Sequence, residues 1–392
     1  MGQRTEVGAA VIGGGFVGRL HVEALRRLGI PVLGLLGSSP ARGTERAALL
    51  GVSKAYRDLD ELLSDERVHV VHVASPNEMH YPQVAAILAA GRHVVCEKPL
   101  ALSSEQSAVL ARRAAESGLV NAVCFNLRFY PLNLHASETV QSGAVGTVRF
   151  VTGHYFQDWL LLDTDWNWRL EVERGGPLRA VADIGSHWLD LAAFLTGLRI
   201  ESVMADLANV IPVRYRPTRS TETYSSAAPR NAEPFVVDTE DTATILIRFE
   251  GGARGCVAIS QVSAGRKNSL QYEIDGSTSS LAWDSEQPDQ LWIGHRDRPN
   301  EVLLRDPVLM GAMARAAAQL PGGHVEGYAD TFRALFATIY ADVAAGAPSA
   351  RPPYPTIADG HDAMLVLDAV AESARTSQWA SVARGVVPTT AV

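Results

Sequence analysis

The sequence predicts an α/β protein in which a doubly wound parallel sheet precedes a C-terminal α+β domain with a large, mostly antiparallel sheet. Apolar, β-branched runs alternate with helical patterns from residue 7 to 126, as in parallel sheets with crossover helices. Beyond residue 130, strand-like runs follow one another with turns between them, which favours antiparallel pairing. The length of 392 residues fits two domains, which we place at residues 1–127 and 128–392.

The elements of the first domain alternate regularly along the chain. Strands are predicted at 7–12, 32–36, 68–74, 93–97 and 121–126. Helices are predicted after the first strand up to residue 28, and at 44–50, 58–63, 81–90 and 103–117. This order brings the carboxyl ends of the strands to one edge of the sheet, where ligands bind in such folds.

The second domain opens with a helical stretch to about residue 141 and a strand at 148–159. A helix at 183–195 follows. Further strands are predicted at 200–207, 242–249, 255–262, 270–274, 280–283 and 291–293, and closing helices at 327–344 and 356–375. The stretch 212–234 is rich in Pro, Ser, Thr and Arg, and we interpret it as a long surface loop or arm.

The first strand and helix are joined by the pattern Gly13-x-Gly15-x-x-Gly18. In a dinucleotide-binding turn, the first glycine permits the tight bend and the second lets the backbone approach a pyrophosphate. The third lets the helix pack on the strand. The helix N-terminus, with Phe16 and Val17, offers free N–H groups to the phosphates. The sequence context favours this interpretation over a purely structural turn.

The end of the second predicted strand bears on the choice between NAD and NADP. An acidic residue there would bind the ribose 2′-OH of NAD, but residues 37–42 contain no carboxylate. Ser38 and Ser39 can donate hydrogen bonds to a 2′-phosphate, and Arg42 can reach it as a cation. The sequence therefore slightly favours NADP. Alternatively, Arg42 is a solvated helix residue and the enzyme accepts both cofactors.

Composition excludes several classes of partner. The net charge of −8, without a basic block, argues against nonspecific nucleic-acid binding, since that affinity comes largely from Lys and Arg on phosphates. We find no secretory signal and no apolar run long enough for a membrane span, so we expect a cytoplasmic protein. Cys96, Cys124 and Cys256 form no CxxC pattern, so we expect buried thiols rather than a disulfide or zinc site.

The tripeptide Glu97-Lys98-Pro99 ends a predicted central strand, where a side chain points into the ligand crevice. The segment 75–80 ends a neighbouring strand at the same edge. The ammonium of Lys98 would stabilise an incipient alkoxide and lower the effective pKa of a substrate alcohol. The alternative is a surface lysine paired with Glu97.

Asp183 and His187 are four residues apart on a predicted helix, so they share one face. A histidine with an ordinary pKa can accept a hydroxyl proton at neutral pH, and Asp183 could hold the imidazole or a sugar hydroxyl. Two other interpretations stay open. Asp183 could be a helix N-cap beside a packed histidine, or the two could bind a metal. Because no third ligand is spaced with them, we predict no metal site.

Five motifs together make the chain resemble the family of glucose–fructose oxidoreductase, inositol dehydrogenase and rhizopine catabolism proteins (Gfo/Idh/MocA). They are GGGFVG at 13–18, SPNEMH at 75–80, EKP at 97–99, NLRFYP at 126–131 and DIGSHWLD at 183–190. The resemblance implies an N-terminal Rossmann domain, a C-terminal domain with an open-faced sheet, and reversible oxidation of a sugar or cyclitol hydroxyl by NAD or NADP. It also implies homodimers or homotetramers formed through that sheet.

The resemblance further implies roles for single residues. Lys98 matches the family's active-site lysine, His187 its general base and Asp183 the substrate-orienting partner of that base. Glu97 matches a cofactor-side acid, and Arg128 an arginine of the interdomain strand. The expected cofactor-binding residues are Gly13, Gly15, Phe16, Val17, Gly18, Ser38, Ser39, Arg42, Ser75, Pro76, Asn77, His80, Glu97, Lys98 and Asn126.

Pro177 and Arg179 depart from the small-residue run that precedes the aspartate in this family. We expect Arg179 to lie on the surface; the alternative is that it binds an acidic group of the substrate. Trp faces suit sugar C–H groups and polar side chains suit hydroxyls, although these aromatics could equally form a core. The expected substrate-binding residues are Lys98, Tyr155, Gln157, Trp168, Arg169, Asp183, His187, His324 and Tyr328.

The sequence thus predicts an NAD(P)-dependent enzyme that transfers a hydride between nicotinamide C4 and a hydroxyl-bearing carbon of a sugar, sugar derivative or cyclitol. One alternative is a glycoside-cleaving enzyme that oxidises a sugar carbon transiently. The other is a non-enzymatic sensor on the same scaffold, which would need neither the crevice lysine nor the Asp–His pair.

Overall fold

A computed structural model describes residues 7–218 and 231–384 of the chain. Its N-terminal sheet is fully parallel, with the strand order β3-β2-β1-β4-β5-β6. The strands are β1 (Gly8–Ile12), β2 (Val32–Leu36), β3 (Ala55–Tyr56), β4 (Val68–Val73), β5 (His93–Cys96) and β6 (Asn121–Val123). The predicted doubly wound parallel sheet is therefore confirmed.

The helices of this domain are α1 (Phe16–Arg27), α2 (Pro40–Leu49), α3 (Leu59–Ser64), α4 (His80–Ala89) and α5 (Ser104–Ser117). Ser39, Asp58 and Ser103 each begin a helix by accepting a hydrogen bond from the backbone N–H three residues further on. Such caps satisfy N–H groups that have no partner within the helix. Gly118 ends α5 in the left-handed conformation.

The C-terminal domain contains a nine-stranded sheet with the order β16-β15-β14-β13-β7-β12-β11-β8-β17. Its strand pairs are antiparallel except for β12 beside β7, as the sequence predicted in outline. The strands are β7 (Phe150–Phe156), β8 (Ile200–Ala208), β11 (Thr242–Phe249), β12 (Arg254–Ser260), β13 (Ser269–Asp275), β14 (Ser280–Asp284), β15 (Gln290–Gly294), β16 (Glu301–Leu304) and β17 (Ala380–Ser381).

Residues 212–234 were interpreted as a loop or arm, and the loop interpretation is wrong for both ends. They form a separate hairpin of β9 (Val213–Pro217) and β10 (Ala232–Val236), while residues 219–230 lie outside the described part of the chain. Proline suggested a loop because it cannot donate to a sheet ladder. In a two-stranded ribbon every strand is an edge, where Pro217 and Pro234 are tolerated.

The helices of this domain are α6 (Pro131–Gln141), α7 (Val172–Gly175), α8 (Ser186–Thr196), α9 (Ala312–Ala317), α10 (Tyr328–Ala345) and α11 (Ile357–Thr376). Helices α8 and α11 pack on one face of the large sheet. The opposite face is open, as alternate residues of β11 show: Ala243 and Ile245 are buried, whereas Leu246 is 45% exposed.

Helix α10 joins the two domains by packing on α1. The ring of His21 in α1 contacts the rings of Phe332 and Phe336 in α10, with centroids 5.5 and 4.9 Å apart. Arg27, at the last turn of α1, pairs with Asp330 at 2.6 Å. The interface therefore places the second domain directly against the first helix of the Rossmann domain. Within the described residues, no helix could span a membrane.

Candidate active site

Three glycines shape the turn between β1 and α1, each for a different reason. Gly13 has a φ of +96°, and a Cβ there would lie 2.3 Å from the carbonyl oxygen of Ala74. A Cβ on Gly18 would lie 1.9 Å from the carbonyl oxygen of Gly13, so a side chain would push α1 off the strand. At Gly15, no described atom lies within 4 Å of the Cβ position. The backbone at Gly15 is therefore open to a ligand.

The N-terminus of α1 suits a diphosphate. The helix begins at Phe16, directly after Gly15, and its first turn carries no acidic residue. The first N–H groups of any helix have no partner within it, and they attract anions together with the helix dipole. The open backbone and these N–H groups fit the pyrophosphate of NAD or NADP.

The segment after β2 has no room for an acidic side chain at Gly37. A Cβ there would lie 2.4 Å from the backbone nitrogen of Gly43, because β2 and α2 approach closely. The Ser39 hydroxyl caps α2 by accepting from the N–H of Arg42. The guanidinium of Arg42 is half exposed and bonds to Glu45 at 3.1 Å. In this structure Arg42 is thus paired on its own helix.

The residue His80 joins the two loops that border the crevice. It is 1% exposed, and its ring nitrogens lie 2.7 Å from the carbonyl oxygen of Pro99 and 2.9 Å from that of Ser75. Burial lowers the pKa of His80, so the neutral ring donates to one of these two carbonyls. The Lys98–Pro99 peptide bond, next to this contact, is cis.

Asn77 and Glu97, two further cofactor-side candidates, already have partners in the protein. Asn77 is 5% exposed and donates from Nδ2 to the carbonyl oxygen of Gly175 at 3.0 Å. Glu97 accepts from the backbone N–H of Lys98, and its other oxygen lies 3.0 Å from Nε2 of His21. Asn77 thus ties its loop to the second domain, and Glu97 ties the end of β5 to α1.

The side chain of Lys98 reaches from the first domain to the second. Its Nζ donates to Oδ1 of Asp183 at 2.9 Å and to the carbonyl oxygen of Asp183 at 2.6 Å. Asp183 lies in a π-helical turn, Val181–Gly185, that continues into α8. Turns of this kind occur often at functional sites. The structure therefore brings together the lysine and the aspartate that the sequence singled out.

Asp183 is surrounded by hydrogen-bond donors. Besides Lys98, Arg169 places Nε 3.1 Å from Oδ1, and Gln261 donates from Nε2 to Oδ2 at 2.8 Å. Burial alone would raise the pKa of Asp183, but the Arg169 guanidinium and the Lys98 ammonium outweigh it and hold the pKa well below its usual value. Asp183 is therefore an anion that holds Lys98 in place.

His187 lies one turn further along, in α8, and is 5% exposed. Burial and the Lys98 ammonium lower its pKa well below the ordinary value, although Asp183 opposes them. Its ring packs edge-on against Phe125, with centroids 5.9 Å apart. Within the described part of the chain, Nδ1 of His187 is buried without a hydrogen-bond partner. A neutral imidazole can accept a proton.

Tyr155 and Gln157 are linked through Asn268, which the sequence did not single out. Oδ1 of Asn268 accepts from the Tyr155 hydroxyl at 2.8 Å and from Nε2 of Gln157 at 2.7 Å. Trp159 in turn donates from its indole nitrogen to Oε1 of Gln157 at 2.8 Å. The ring of Tyr155 lies 6.5 Å from that of His187. The structure thus places Tyr155 beside the general-base candidate and Gln157 in the network behind it.

Trp168 and Arg169 lie in a short helical turn beside Asp183. The guanidinium of Arg169 stacks on the Trp168 ring, 4.4 Å from its centroid, and that of Arg174 lies 5.7 Å from it. Arg174 also pairs with Glu78 of the first domain at 3.1 Å. Cations therefore already occupy positions against the Trp168 ring, where the sequence analysis expected a sugar face.

The expectation of a surface role for Arg179 is wrong. This side chain is 1% exposed and donates to Asp241, Thr239 and Gln261. Single-sequence patterns gave no sign of this burial, because its acidic partner lies 62 residues away. Gln261 was likewise missed, although a polar residue at the end of the apolar run 255–262 was an available signal.

Three further expected site residues contact other partners in the second domain. Asn126 is 1% exposed and donates to Thr331 in α10, so its amide is enclosed between the domains. His324 is exposed, and its carbonyl accepts from Arg305. Tyr328 begins α10 and packs edge-on against Phe332. Phe332 in turn contacts the ring of His21 in α1, and Asp330, two residues after Tyr328, pairs with Arg27. The start of α10 therefore packs on α1.

Arg128 lies in a short helical turn (Asn126–Phe129) rather than in a strand. Its guanidinium forms a two-pronged pair with the carboxylate of Asp190 in α8. Both side chains are nearly buried. Arg128 therefore fixes α8, which carries His187, against the segment that joins the domains.

All three cysteines lie in the described part of the chain and are free thiols, Cys96 and Cys124 fully buried and Cys256 half-buried. His21, Glu97 and Cys124 place potential ligand atoms within 4.8 Å of one another. The hydrogen bond of His21 to Glu97 and the contact of Cys124 Sγ with Nε2 of His21 at 3.8 Å account for this proximity.

Comparison with known proteins gives matches in both domains. A family model described as oxidoreductase family, NAD-binding Rossmann fold, matches residues 7–125. A model described as GFO/IDH/MocA C-terminal domain matches residues 133–282. Levoglucosan dehydrogenase of Pseudarthrobacter phenanthrenivorans is 28% identical over 95% of this chain and 97% of that protein.

Solved structures agree with this match. Levoglucosan dehydrogenase in complex with NADH and L-sorbose has a TM-score of 0.87 at 27% identity, covering 97% of this chain and 99% of that chain. An oxidoreductase domain protein from Kribbella flavida has a TM-score of 0.87 at 31% identity, covering 97% of this chain and 100% of that one. The resemblance inferred from five motifs is thereby confirmed, and this chain belongs to the GFO/IDH/MocA family of NAD-binding oxidoreductases.

Proposed function

We propose that this oxidoreductase transfers a hydride between nicotinamide C4 and a hydroxyl-bearing carbon of a sugar, sugar derivative or cyclitol. The observation that carries the proposal is the contact of Lys98 with Asp183 across the domain boundary, beside His187, whose lowered pKa keeps its ring neutral. The name of one relative supports the proposal, since levoglucosan dehydrogenase matches this chain over almost the full length of both proteins.

His187, Lys98 and Asp183 each have a separate role at the substrate hydroxyl. His187 accepts the hydroxyl proton, because its lowered pKa keeps the imidazole neutral at pH 7. The Lys98 ammonium stabilises the oxyanion that develops on the same oxygen. Asp183 holds that ammonium in position. When bound, the nicotinamide supplies the redox chemistry as hydride acceptor or donor.

The proposed substrates are neutral and rich in hydroxyl groups. Arg169 and the Tyr155–Asn268–Gln157 network offer donors and acceptors next to Asp183, as hydroxyl recognition requires. An anhydrosugar is the first candidate, because levoglucosan is the substrate in the name of a relative that matches nearly the whole chain.

The proposed cofactor set includes NADP as well as NAD, with NADP slightly favoured. Gly37 leaves no carboxylate to repel a 2′-phosphate. Ser38 follows β2, Arg42 lies in the first turn of α2, and both are exposed. Replacing Arg42→Ala should raise the KM for NADP about tenfold, the value of one charge-assisted hydrogen bond, and leave the KM for NAD unchanged. Equal effects on both cofactors would show that Arg42 acts only on its own helix.

A substrate panel tests the central proposal. Purified protein is mixed with aldoses, inositols, anhydrosugars and glycosides, each with NAD or NADP, while absorbance of the reduced nicotinamide is followed. We expect stoichiometric reduced cofactor with at least one free sugar, anhydrosugar or cyclitol. Turnover of a glycoside without net cofactor reduction would instead support the cleaving mechanism. Cofactor binding with no turnover across the panel would refute the proposed reaction.

We also propose that two or more copies assemble through the open face of the large sheet. This face presents apolar side chains such as Leu246 and Val302, which are 45% and 54% exposed. An antiparallel sheet with an uncovered apolar face is commonly paired with another surface. Light scattering should give a dimer or tetramer mass, and Leu246→Glu should lower it. A monomeric wild-type protein would refute the assembly.

A further inference from the structure

A buried polar network lies behind Asp183, on the side of its carboxylate opposite Lys98. Its members are Arg179, Arg214, Asp241 and Gln261, and each is at most 1% exposed. Polar groups so deeply buried are costly unless every one is hydrogen-bonded. They lie directly behind Asp183, which holds Lys98, so we ask what they do for that contact.

Gln261 links this network to Asp183. Its Nε2 donates to Oδ2 of Asp183 at 2.8 Å, and its Oε1 accepts from Nη1 of Arg179 at 3.2 Å. Only this orientation of the amide satisfies both neighbours. A flipped amide would present its NH₂ to a guanidinium and its oxygen to a carboxylate, and both contacts would be repulsive. Arg179 therefore decides which end of Gln261 faces Asp183.

Arg179 has little freedom of its own. Its guanidinium donates to the carboxylate of Asp241 and, from Nε, to the Thr239 hydroxyl at 3.2 Å. Its backbone N–H donates to the carboxylate of Glu240 at 2.9 Å. Asp241 also accepts from Arg214 of the β9–β10 hairpin at 2.8 Å. Asp241 thus fixes Arg179, and the hairpin is attached to the same anchor.

The two carboxylate oxygens of Asp183 therefore have different partners. Oδ2 is held by Gln261, while Oδ1 receives Lys98 and Arg169. The terminal torsion of an aspartate is soft, so a carboxylate without such a bond can rotate. We propose that Gln261, oriented by Arg179, is a positioning residue that keeps Oδ1 of Asp183 on the Lys98 ammonium. The proposal rests on the function proposed above, in which that ammonium acts on the substrate oxygen.

A double-mutant cycle tests this role. Gln261→Met keeps the length of the side chain but removes both hydrogen bonds. We expect kcat to fall about tenfold with a smaller change in KM, as coupling within one hydrogen-bond network allows. In an Asp183→Asn background the same change should alter kcat less than about twofold. An equal fold-loss in both backgrounds would overturn the proposal, because it would show that Gln261 acts independently of Asp183.

Two further variants test whether the loss of kcat in Gln261→Met has another cause. Gln261→Glu keeps the acceptor for Arg179, so the network stays closed, but it places a like charge against Asp183. It should lower kcat at least as much as Gln261→Met does. Gln141→Met is a control for the loss of a glutamine side chain, since Gln141 bridges α6 and α8 through Ser137 and Phe194 without touching Asp183. Its kcat should stay at the wild-type value, and a loss equal to that of Gln261→Met would contradict the proposal.

A readout without turnover separates this proposal from the proposed reaction. A small amine-acetylating reagent labels Lys98 at a rate that peptide mass spectrometry can follow. A released Lys98 should react about threefold faster or more in Gln261→Met, within the range for network coupling, and at the wild-type rate in Gln141→Met. Faster labelling in a protein that oxidises no sugar would refute the reaction but keep the positioning role. An active wild type whose Gln261→Met variant matches it in rate and labelling would overturn the positioning role alone.

Discussion

Replacing Gly15 or Gly18 by alanine should affect different properties. Gly15→Ala should weaken cofactor binding, and Gly18→Ala should lower stability. The Cβ of Gly15→Ala meets no described atom within 4 Å, and Gly15 has φ −76° and ψ −163°, which any residue adopts. Alanine at such a position stabilises by about 0.4–1 kcal/mol, because the unfolded chain loses freedom. The Tm of this variant should therefore stay constant or rise slightly.

The same methyl group of Gly15→Ala occupies the space that a diphosphate needs. Loss of one or two charge-assisted hydrogen bonds, about 1.5–3 kcal/mol each, should raise the Kd for NAD about 10-fold to 100-fold. Gly18→Ala should do the reverse. Its Cβ would lie 1.9 Å from a backbone oxygen, so overpacking of about 1–3 kcal/mol should exceed the gain in helix propensity of about 1 kcal/mol.

Circular dichroism melting and calorimetric titration with NAD measure the two quantities on the same samples. We expect Gly18→Ala to lose several degrees in Tm and Gly15→Ala to lose cofactor affinity at an unchanged Tm. Gly15→Ala binding NAD with wild-type affinity would refute the assignment of this turn to the pyrophosphate. An unchanged Tm in Gly18→Ala would refute the packing argument.

Three further predictions concern Lys98, His187 and the ion pair that fixes the helix of His187. Lys98→Met and His187→Gln should each lower kcat on the order of 10²-fold in steady-state assays, since each removes acid–base or electrostatic help; full activity in both would contradict their roles. Because the pKa of His187 is lowered on folding, the unfolded chain binds the extra proton below the ordinary value near 6.5. Stability should therefore fall by up to about 1.4 kcal/mol per pH unit below it in urea titrations, and a slope that His187→Gln leaves unchanged would argue against this origin. Asp190→Asn should cost about 3 kcal/mol, because it leaves the nearly buried Arg128 guanidinium without its anion. Chemical denaturation would measure this, with a loss under 1 kcal/mol counting against a structural ion pair.

The Rossmann half of the fold could be predicted because its signals are local. The glycine turn, the capping residues Ser39 and Ser103, and the alternation of strands and helices each depend on neighbours in sequence. The placement of Lys98 at a strand end followed from the same alternation. In the second domain, turns and strand runs indicated a mostly antiparallel sheet, although not the parallel pairing of β12 with β7.

The support of the site could not be predicted, because it depends on contacts between distant residues. Arg179 was expected on the surface, yet Asp241 and Gln261, both more than 60 residues away in sequence, enclose it. His324 and Tyr328 had suitable chemistry, but their partners depend on how the start of α10 packs on α1, which no local pattern shows. Motifs indicate which side chains react, whereas long-range packing decides which ones hold them.

The crossing of Lys98 to Asp183, together with α10 on α1, bears on how the chain acquires its native state. His21 and His72 in the Rossmann half are buried under Phe336 of the C-terminal half, so residues 1–127 synthesised alone would leave this apolar surface in water. We therefore expect that residues 1–127 do not fold as an autonomous unit. The contact of Lys98 with Asp183 forms only when the two domains pack together.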